Sequence, residues 1–115
     1  MLVLLLILTA LQAYVIGSVN GAIIISKYFY KKDIRNFGSG NAGLTNFYRV
    51  FGKGGAVFVV LIDVLKTIAP VIIGGLLFSH FIDAAYFKGG NVGLLRLSFF
   101  GSEYAGFFVM LGHCY

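Results

Sequence analysis

The sequence predicts an all-α fold, a polytopic bundle of about three transmembrane helices forming a single domain over residues 1–115, and three observations lead there. First, 59% of the 115 residues are hydrophobic and 11% are charged, against roughly 25% charged in an average soluble domain. A soluble domain of this length would need a polar surface that these residues cannot supply, whereas lipid accepts apolar side chains on the outside of a helix. Second, the apolar residues fall into three long runs. Third, the basic residues concentrate between the first two of them.

The first run, Leu2–Ser26, would be roughly 37 Å long as a helix, enough to span hydrocarbon with some tilt. A cleaved signal peptide is the competing reading, but no basic segment precedes Leu2 and the run exceeds an ordinary signal core. Lys27, Lys31, Lys32, Arg35, Arg49 and Lys53 follow it, opposed only by Asp33. That bias marks segment 27–53 as cytoplasmic and the N-terminus as outside. The second run, Gly54–Ser79, is long enough to return to the exterior, and Pro70 within it should bend or loosen the helix. Between Ser79 and Ser98 the charges are Asp83, Lys88 and Arg96, with a turn signal at Gly89–Asn91, so an exterior connection is expected, with room for a short interfacial helix. The third run, roughly Leu97–Tyr115, carries Ser98, Ser102, Glu103 and His113 and stops without a basic anchor. Such an end reads as that of an incomplete chain.

Composition also excludes. The net charge of +5 does not indicate nucleic acid, because the basic residues sit beside apolar runs rather than over a soluble face. Cys114 is the one cysteine, so no internal disulfide can form. His113 has no cluster of Cys, Asp or Glu around it in sequence, and neither a metal nor an organic cofactor is called for. A hydrogen bond at a helix end suits it better.

The chemistry should reside in Asp33–Arg49, where glycines, short hydrogen-bonding side chains and two arginines lie between apolar runs. Glycines let the backbone turn its amides towards a ligand, Ser, Thr and Asn add short donors, and Arg adds a planar cation, a combination suited to an oxyanion. Gly38, Gly40 and Gly43 match the dinucleotide spacing G-x-G-x-x-G, but no buried strand precedes them. The P-loop fails too, since Phe47 stands where Gly is needed and Gly54 where Ser or Thr is needed. A helix beginning near Leu44 would place Thr45 and Arg49 on one face, with Asn46 and Arg49 one turn apart. Its N-terminal amides, Ser39, Asn41, Thr45 and Arg49 could together enclose a phosphate. The alternative is an interfacial turn whose arginines only touch lipid headgroups.

Asp63 and Lys66 lie one turn apart well inside the second run, where charges are costly. Mutual pairing is their simplest account, and a structural ion pair and a catalytic role both stay open. Glu103 should sit at an interface rather than reach Lys66 or Arg96.

Asp33-Ile34-Arg35, Gly38-Ser39-Gly40-Asn41, Gly43, Thr45-Asn46, Arg49 and Gly52 resemble the first motif of the bacterial acyl-phosphate:glycerol-3-phosphate acyltransferases. Gly17-Ser18 and Gly21, Asp63-Val64-Leu65-Lys66 and Gly112-His113 extend the resemblance along the whole chain, which corresponds to about the first half of a family member. The resemblance implies a multi-span bacterial inner-membrane enzyme that acylates the sn-1 hydroxyl of glycerol 3-phosphate from acyl phosphate, giving lysophosphatidic acid. Its substrates and membrane lipids are then the partners. By the same resemblance Ser39 and Arg49 contact glycerol 3-phosphate, while Gly40, Asn41, Gly43, Thr45 and Asn46 build the donor's phosphate pocket. Arg35, Asp63 and Lys66 are weaker candidates. Asn20 in place of the usual Pro, Leu44 in place of a smaller residue and Thr67 in place of Gly depart from the family pattern. The second glycine-rich loop and later motif residues have no counterpart before Tyr115, so the chain by itself is expected to be inactive. A small anion-transporting subunit and a noncatalytic membrane fragment are the competing functions.

Overall fold

The computed structural model describes residues 1–86 and 90–115. Among them are five α-helices, a short 3-10 turn and no strand, in agreement with an all-α fold. The chain divides into two compact units, Met1–Val19 with Lys66–Tyr115, and Asn20–Leu65.

The first apolar run forms two helices rather than one, α1 (Leu2–Gly17) and α2 (Gly21–Tyr28). Asn20 causes the break. Its backbone is extended and its Oδ1 accepts from Ile23 N at 3.1 Å, making it the N-cap of α2. A short amide side chain offers the backbone this alternative to a continued helix, which an unbroken apolar pattern conceals. Ser18, just upstream, donates its hydroxyl to Val15 O at 2.7 Å.

After the 3-10 turn (Ile34–Asn36) and the glycine-rich loop come α3 (Leu44–Phe51), α4 (Lys53–Tyr86) and α5 (Gly90–Cys114). Both α4 and α5 are longer than their apolar runs. Ser79 does not end α4, because its hydroxyl is satisfied by Leu76 O at 3.0 Å within the helix. Most of the connection expected over Ser79–Ser98 is therefore helical, α4 running to Tyr86 and α5 starting at Gly90. Gly90 and Asn91 of the expected turn belong to α5, while Lys88, Gly89 and the side chain of Asp83 lie outside the described residues. Pro70 leaves α4 unbroken, and its carbonyl also accepts from Gln12 Nε2 at 3.4 Å.

Among the described residues α4 is the helix long and apolar enough to cross a membrane alone, over Lys53–Ile82. α1 and α2 qualify only together, as a broken pair. The described part of α5 carries Arg96, Ser98, Ser102 and Glu103 within two turns of one another and does not meet that measure by itself. Of the about three transmembrane helices expected, one helix and one broken pair meet that measure among the described residues.

In the first unit the helices meet backbone to backbone. A methyl group added at Gly17 would overlap the Val109 carbonyl, and one at Gly112 would overlap the Tyr14 carbonyl, which brings α1 against α5. Gly74 of α4 and Gly101 of α5 face each other in the same manner: a methyl at Gly74 would lie 2.6 Å from Gly101 O. Small residues at such crossings permit the close approach. Around them pack Leu5, Phe78 and Ile82, and Ala13, Ala105 and Val109.

The second unit is built on Ala22, Ile25, Ile34, Phe47, Ala56 and Val59. Aromatic rings extend this core: Tyr30 lies 4.5 Å from Phe51 and 5.9 Å from Phe47, centroid to centroid. Gly55 gives them room, since a methyl there would sit 2.6 Å from the Phe47 ring. This core carries the loop.

Candidate functional site

The glycine-rich loop is shaped from within by Asn46. That residue, 4% exposed, accepts at Oδ1 from Ser39 N (3.0 Å) and donates from Nδ2 to Phe37 O (3.0 Å) and Asn41 O (2.9 Å). One side chain thus ties three points of the loop to the first turn of α3. Both amide hydrogens are consumed in doing so. Gly38 and Gly40 have φ of 58° and 75°, the left-handed region that glycine enters without strain. At Gly38 glycine is doubly required, because a methyl group there would collide with Asn46 Oδ1. Gly40 N closes the turn on Phe37 O at 3.0 Å.

Two further polar residues anchor the loop from α2. Asn20 Nδ2 donates to Ala42 O at 2.9 Å, so the residue that breaks the first apolar run also holds the end of the loop. Ser26, fully buried, accepts from Ile34 N and donates to Ile23 O, each at 3.1 Å. Next to Asn20, a methyl at Gly21 would lie 3.0 Å from Val59 O and 3.2 Å from Ile62 Cβ. The loop's return is therefore level with Val59–Ile62, about 9 to 14 Å along α4 from Lys53 at 1.5 Å per residue.

With the loop held this way, Ser39, Gly40, Asn41, Thr45 and Arg49 stay exposed. Gly43 is the N-cap of α3 and contributes no side chain, leaving the helix's first amides without a side-chain acceptor. α3 buries Asn46 and Phe47 and turns Leu44, Thr45, Tyr48 and Arg49 outward. Thr45 and Arg49 share that outer face, as their spacing predicts. Arg49 has no ion-pair partner among the described residues.

Arg35 is placed differently. Its Nη2 lies 2.7 Å from Asp33 Oδ2 and its Nε 3.0 Å from Oδ1, a two-pronged pair, with Lys27 Nζ 3.3 Å from the same carboxylate. Hydrogen bonds from Arg35 hold the Asp33 carboxyl well below the usual carboxylate range, and Asp33 in turn raises the Arg35 guanidinium. The Arg35 charge is thereby largely spent on its neighbour.

Asp63 is half-buried on α4 in the same unit as the loop. Lys66 belongs to the other unit, 6% exposed, and donates to Val19 O at 2.6 Å and to His113 Nδ1 at 2.9 Å. His113 thus bonds to a neighbouring helix rather than only to its own helix end. Gly38–Arg49 and Asp63 belong to one unit and Lys66 to the other.

Sequence reasoning did not single out Ser26 or the cap and strap formed by Asn20. The available signal was a lone Asn inside an apolar run, opposite no recognisable partner. Its second bond, to a residue 22 positions away, is not visible from local spacing.

A sequence model described as glycerol-3-phosphate acyltransferase matches residues 7–115. The chain is 37% identical over 113 residues to a glycerol-3-phosphate acyltransferase of Ureaplasma parvum, covering 98% of this chain and 42% of that protein. It is 45% identical over 103 residues to glycerol-3-phosphate acyltransferase 2 of Bacillus anthracis, covering 74% and 53%. It is 51% identical over 74 residues to the glycerol-3-phosphate acyltransferase of Thermoanaerobacter pseudethanolicus, covering 64% and 37%. The chain spans about two fifths of the length of the Ureaplasma relative it matches. No solved structure matches it. With a family match over residues 7–115 and a buried-amide loop whose exposed groups suit an oxyanion, the chain belongs to the glycerol-3-phosphate acyltransferase family.

Proposed function

We propose that this chain supplies one part of a membrane-embedded enzyme that transfers a fatty acyl group from acyl phosphate to the sn-1 hydroxyl of glycerol 3-phosphate. The products are lysophosphatidic acid and phosphate. The observation that carries the reading is the loop strapped by Asn46, which presents hydroxyl, amide and guanidinium groups outward while its own backbone is satisfied inward.

An acyl phosphate is a mixed anhydride with a good leaving group, so no enzyme nucleophile is required. The glycerol hydroxyl oxygen attacks the acyl carbon, the bond from that carbon to the phosphate oxygen breaks, and the hydroxyl proton leaves with the released phosphate. The protein's contribution is positioning and charge stabilisation. In this scheme Ser39 and Arg49 bind glycerol 3-phosphate, and Gly40, Asn41, Gly43 and Thr45 surround the donor phosphate. Asn46 serves that pocket by holding its backbone. Arg35, paired to Asp33, supports the loop, and Asp63 and Lys66 have no assigned step.

The proposed topology has the broken pair α1 and α2, then α4, then α5 crossing a bacterial inner membrane, with the N-terminus outside and residues 27–53 cytoplasmic. The basic residues at Lys27, Lys31, Lys32, Arg35, Arg49 and Lys53 support that orientation. Exposed apolar side chains such as Leu4, Leu11, Leu65 and Leu76 are then lipid-facing.

The test joins residues 1–115 to the C-terminal part of the Bacillus anthracis relative and supplies the inserted chimera with glycerol 3-phosphate and either acyl phosphate or acyl-coenzyme A. Lysophosphatidic acid and stoichiometric phosphate should form from acyl phosphate alone. A well-inserted chimera that uses only the thioester would refute the proposed donor.

A further inference from the structure

The end of α2 and the turn after it place aromatic and basic residues in succession, Tyr28-Phe29-Tyr30-Lys31-Lys32, in the same unit as the glycine-rich loop. The turn's backbone is fixed on the buried Ser26. Lys32 N donates to Ser26 O at 3.0 Å, and Ile34 N donates to the Ser26 hydroxyl at 3.1 Å. Among the described residues Lys31 is the one non-glycine with a positive φ, 55°, in the left-handed region that Gly or Asn enters more readily. A lysine kept where the backbone favours glycine points to a use for its side chain.

The side chains divide into two kinds. Tyr28 and Phe29 are 70% and 71% exposed, and the Phe29 ring is stacked on Phe58 of α4, with 6.2 Å between centroids and 8° between planes. Tyr30 turns inward to Phe47 and Phe51. Lys31 and Lys32 are exposed and have no carboxylate partner among the described residues, and the Lys32 ammonium rests 5.6 Å from the centre of the Phe37 ring. The nearby acid, Asp33, is occupied by Arg35 and Lys27. Lys27, Lys31, Lys32 and Arg35 against Asp33 alone leave residues 27–35 strongly positive.

Exposed rings beside unneutralised cations suit the boundary between hydrocarbon and a layer of phosphodiesters, because aromatic rings settle at headgroup depth and lysines bind the phosphates. A soluble anion such as glycerol 3-phosphate would use the lysines but leave both rings in water. Resting on the membrane placement above, we propose that Tyr28–Lys32 binds the headgroup of an anionic phospholipid of the bilayer. Lys31 and Lys32 take its phosphate, and Tyr28 and Phe29 lie beside its glycerol and upper acyl carbons. The bound lipid ties the unit that carries the glycine-rich loop to the bilayer surface, and it uses none of the groups assigned to the two substrates.

The chain has no tryptophan, so Tyr28→Trp supplies a single fluorophore at the proposed site. The whole chain carrying it is placed in nanodiscs of one fixed mixture of phosphatidylcholine and phosphatidylglycerol, with bromine on the acyl chains of one lipid or the other. Quenching by brominated phosphatidylglycerol should exceed that lipid's share of the bilayer. Lys31→Gln and Lys32→Gln should each lower the preference about fivefold, and together about thirtyfold, the effect of about one cation each at an anionic surface. Lys53→Gln, elsewhere in the same unit, should leave it unchanged. Quenching in proportion to abundance, a preference untouched by the paired Gln variant, or one that Lys53→Gln lowers as much, would overturn the lipid site and leave the membrane placement standing. Absence of quenching by either lipid would remove the membrane placement of this turn and the site with it.

Discussion

Replacing Asn46 by Ala should release the glycine-rich loop without touching the rest of the core. The substitution removes one acceptor and two donors that reach Ser39, Phe37 and Asn41 at 2.9–3.0 Å. At about 1 kcal/mol net for each hydrogen bond, the upper bound is about 3 kcal/mol. The loop backbone lies near solvent, so water recovers part of that, and about 2 kcal/mol is the working figure, or roughly a thirtyfold rise in loop opening. Hydrogen exchange at the Ser39 and Gly40 amides reads this directly. Both should exchange about thirtyfold faster in Asn46→Ala, while amides in the middle of α4 keep their protection. Asn46→Asp provides a stricter comparison, because it keeps the shape and the acceptor for Ser39 but sets a carboxylate oxygen against two carbonyls. It should exchange at least as fast as the Ala variant. If Ser39 and Gly40 in both variants exchange within twofold of the parent, Asn46 does not organise the loop, and the site geometry derived from it is wrong.

The other predictions concern charge, sterics and pH. Arg49→Ala should weaken phosphate or phosphonate binding by about tenfold to a hundredfold, the range for one charge-assisted hydrogen bond, as measured by titration calorimetry in nanodiscs; an unchanged constant would dismiss its assigned role. Gly101→Ala drives a methyl into the Gly74 carbonyl and should cost about 1–3 kcal/mol through overpacking, whereas Gly106→Ala, whose nearest neighbour would be Val71 Cγ2 at 3.7 Å, should be nearly neutral. Thermal unfolding of the two variants in one detergent separates them, and equal midpoints would contradict the close crossing. The Asp33 carboxyl, held low by Arg35, is ionised in the folded chain at acidities where an unfolded chain, near an ordinary value of about 3.9, has begun to protonate. Its contribution is therefore complete above that ordinary value and is lost as pH falls through the depressed folded one. Asp33→Asn should remove this part of the acid dependence, and an acid unfolding profile unaltered by the substitution would refute the pairing.

The sequence was sufficient to establish helices and the family. Apolar length and charge bias are local properties of a segment, and α4 follows them closely from Lys53 onward. The Thr45 and Arg49 face likewise follows from helical spacing alone, and both side chains are exposed on α3. Where local pattern and tertiary contact compete, the sequence reading was incomplete. Leu2–Ser26 is apolar enough for one helix, yet Asn20 ends it because its amide gains a partner at Ala42. Ser79 suggested an end that intrahelical hydrogen bonding removes.

Within the site the division has the same cause. Residue types and spacing point to an oxyanion loop between Gly38 and Arg49, since glycine, hydroxyl, amide and guanidinium groups have few other joint uses. Only the folded chain decides which of them face outward and which hold the others in place. Asn46 and Asn41 are chemically identical in sequence; burial under the loop commits both amide hydrogens of Asn46 to backbone carbonyls and leaves Asn41 exposed. Arg35 and Arg49 are likewise the same residue type, separated in use by Asp33, which lies within reach of one and not paired to the other. A side chain's chemistry is written in the sequence, but its remaining capacity to bind depends on what its neighbours have already taken.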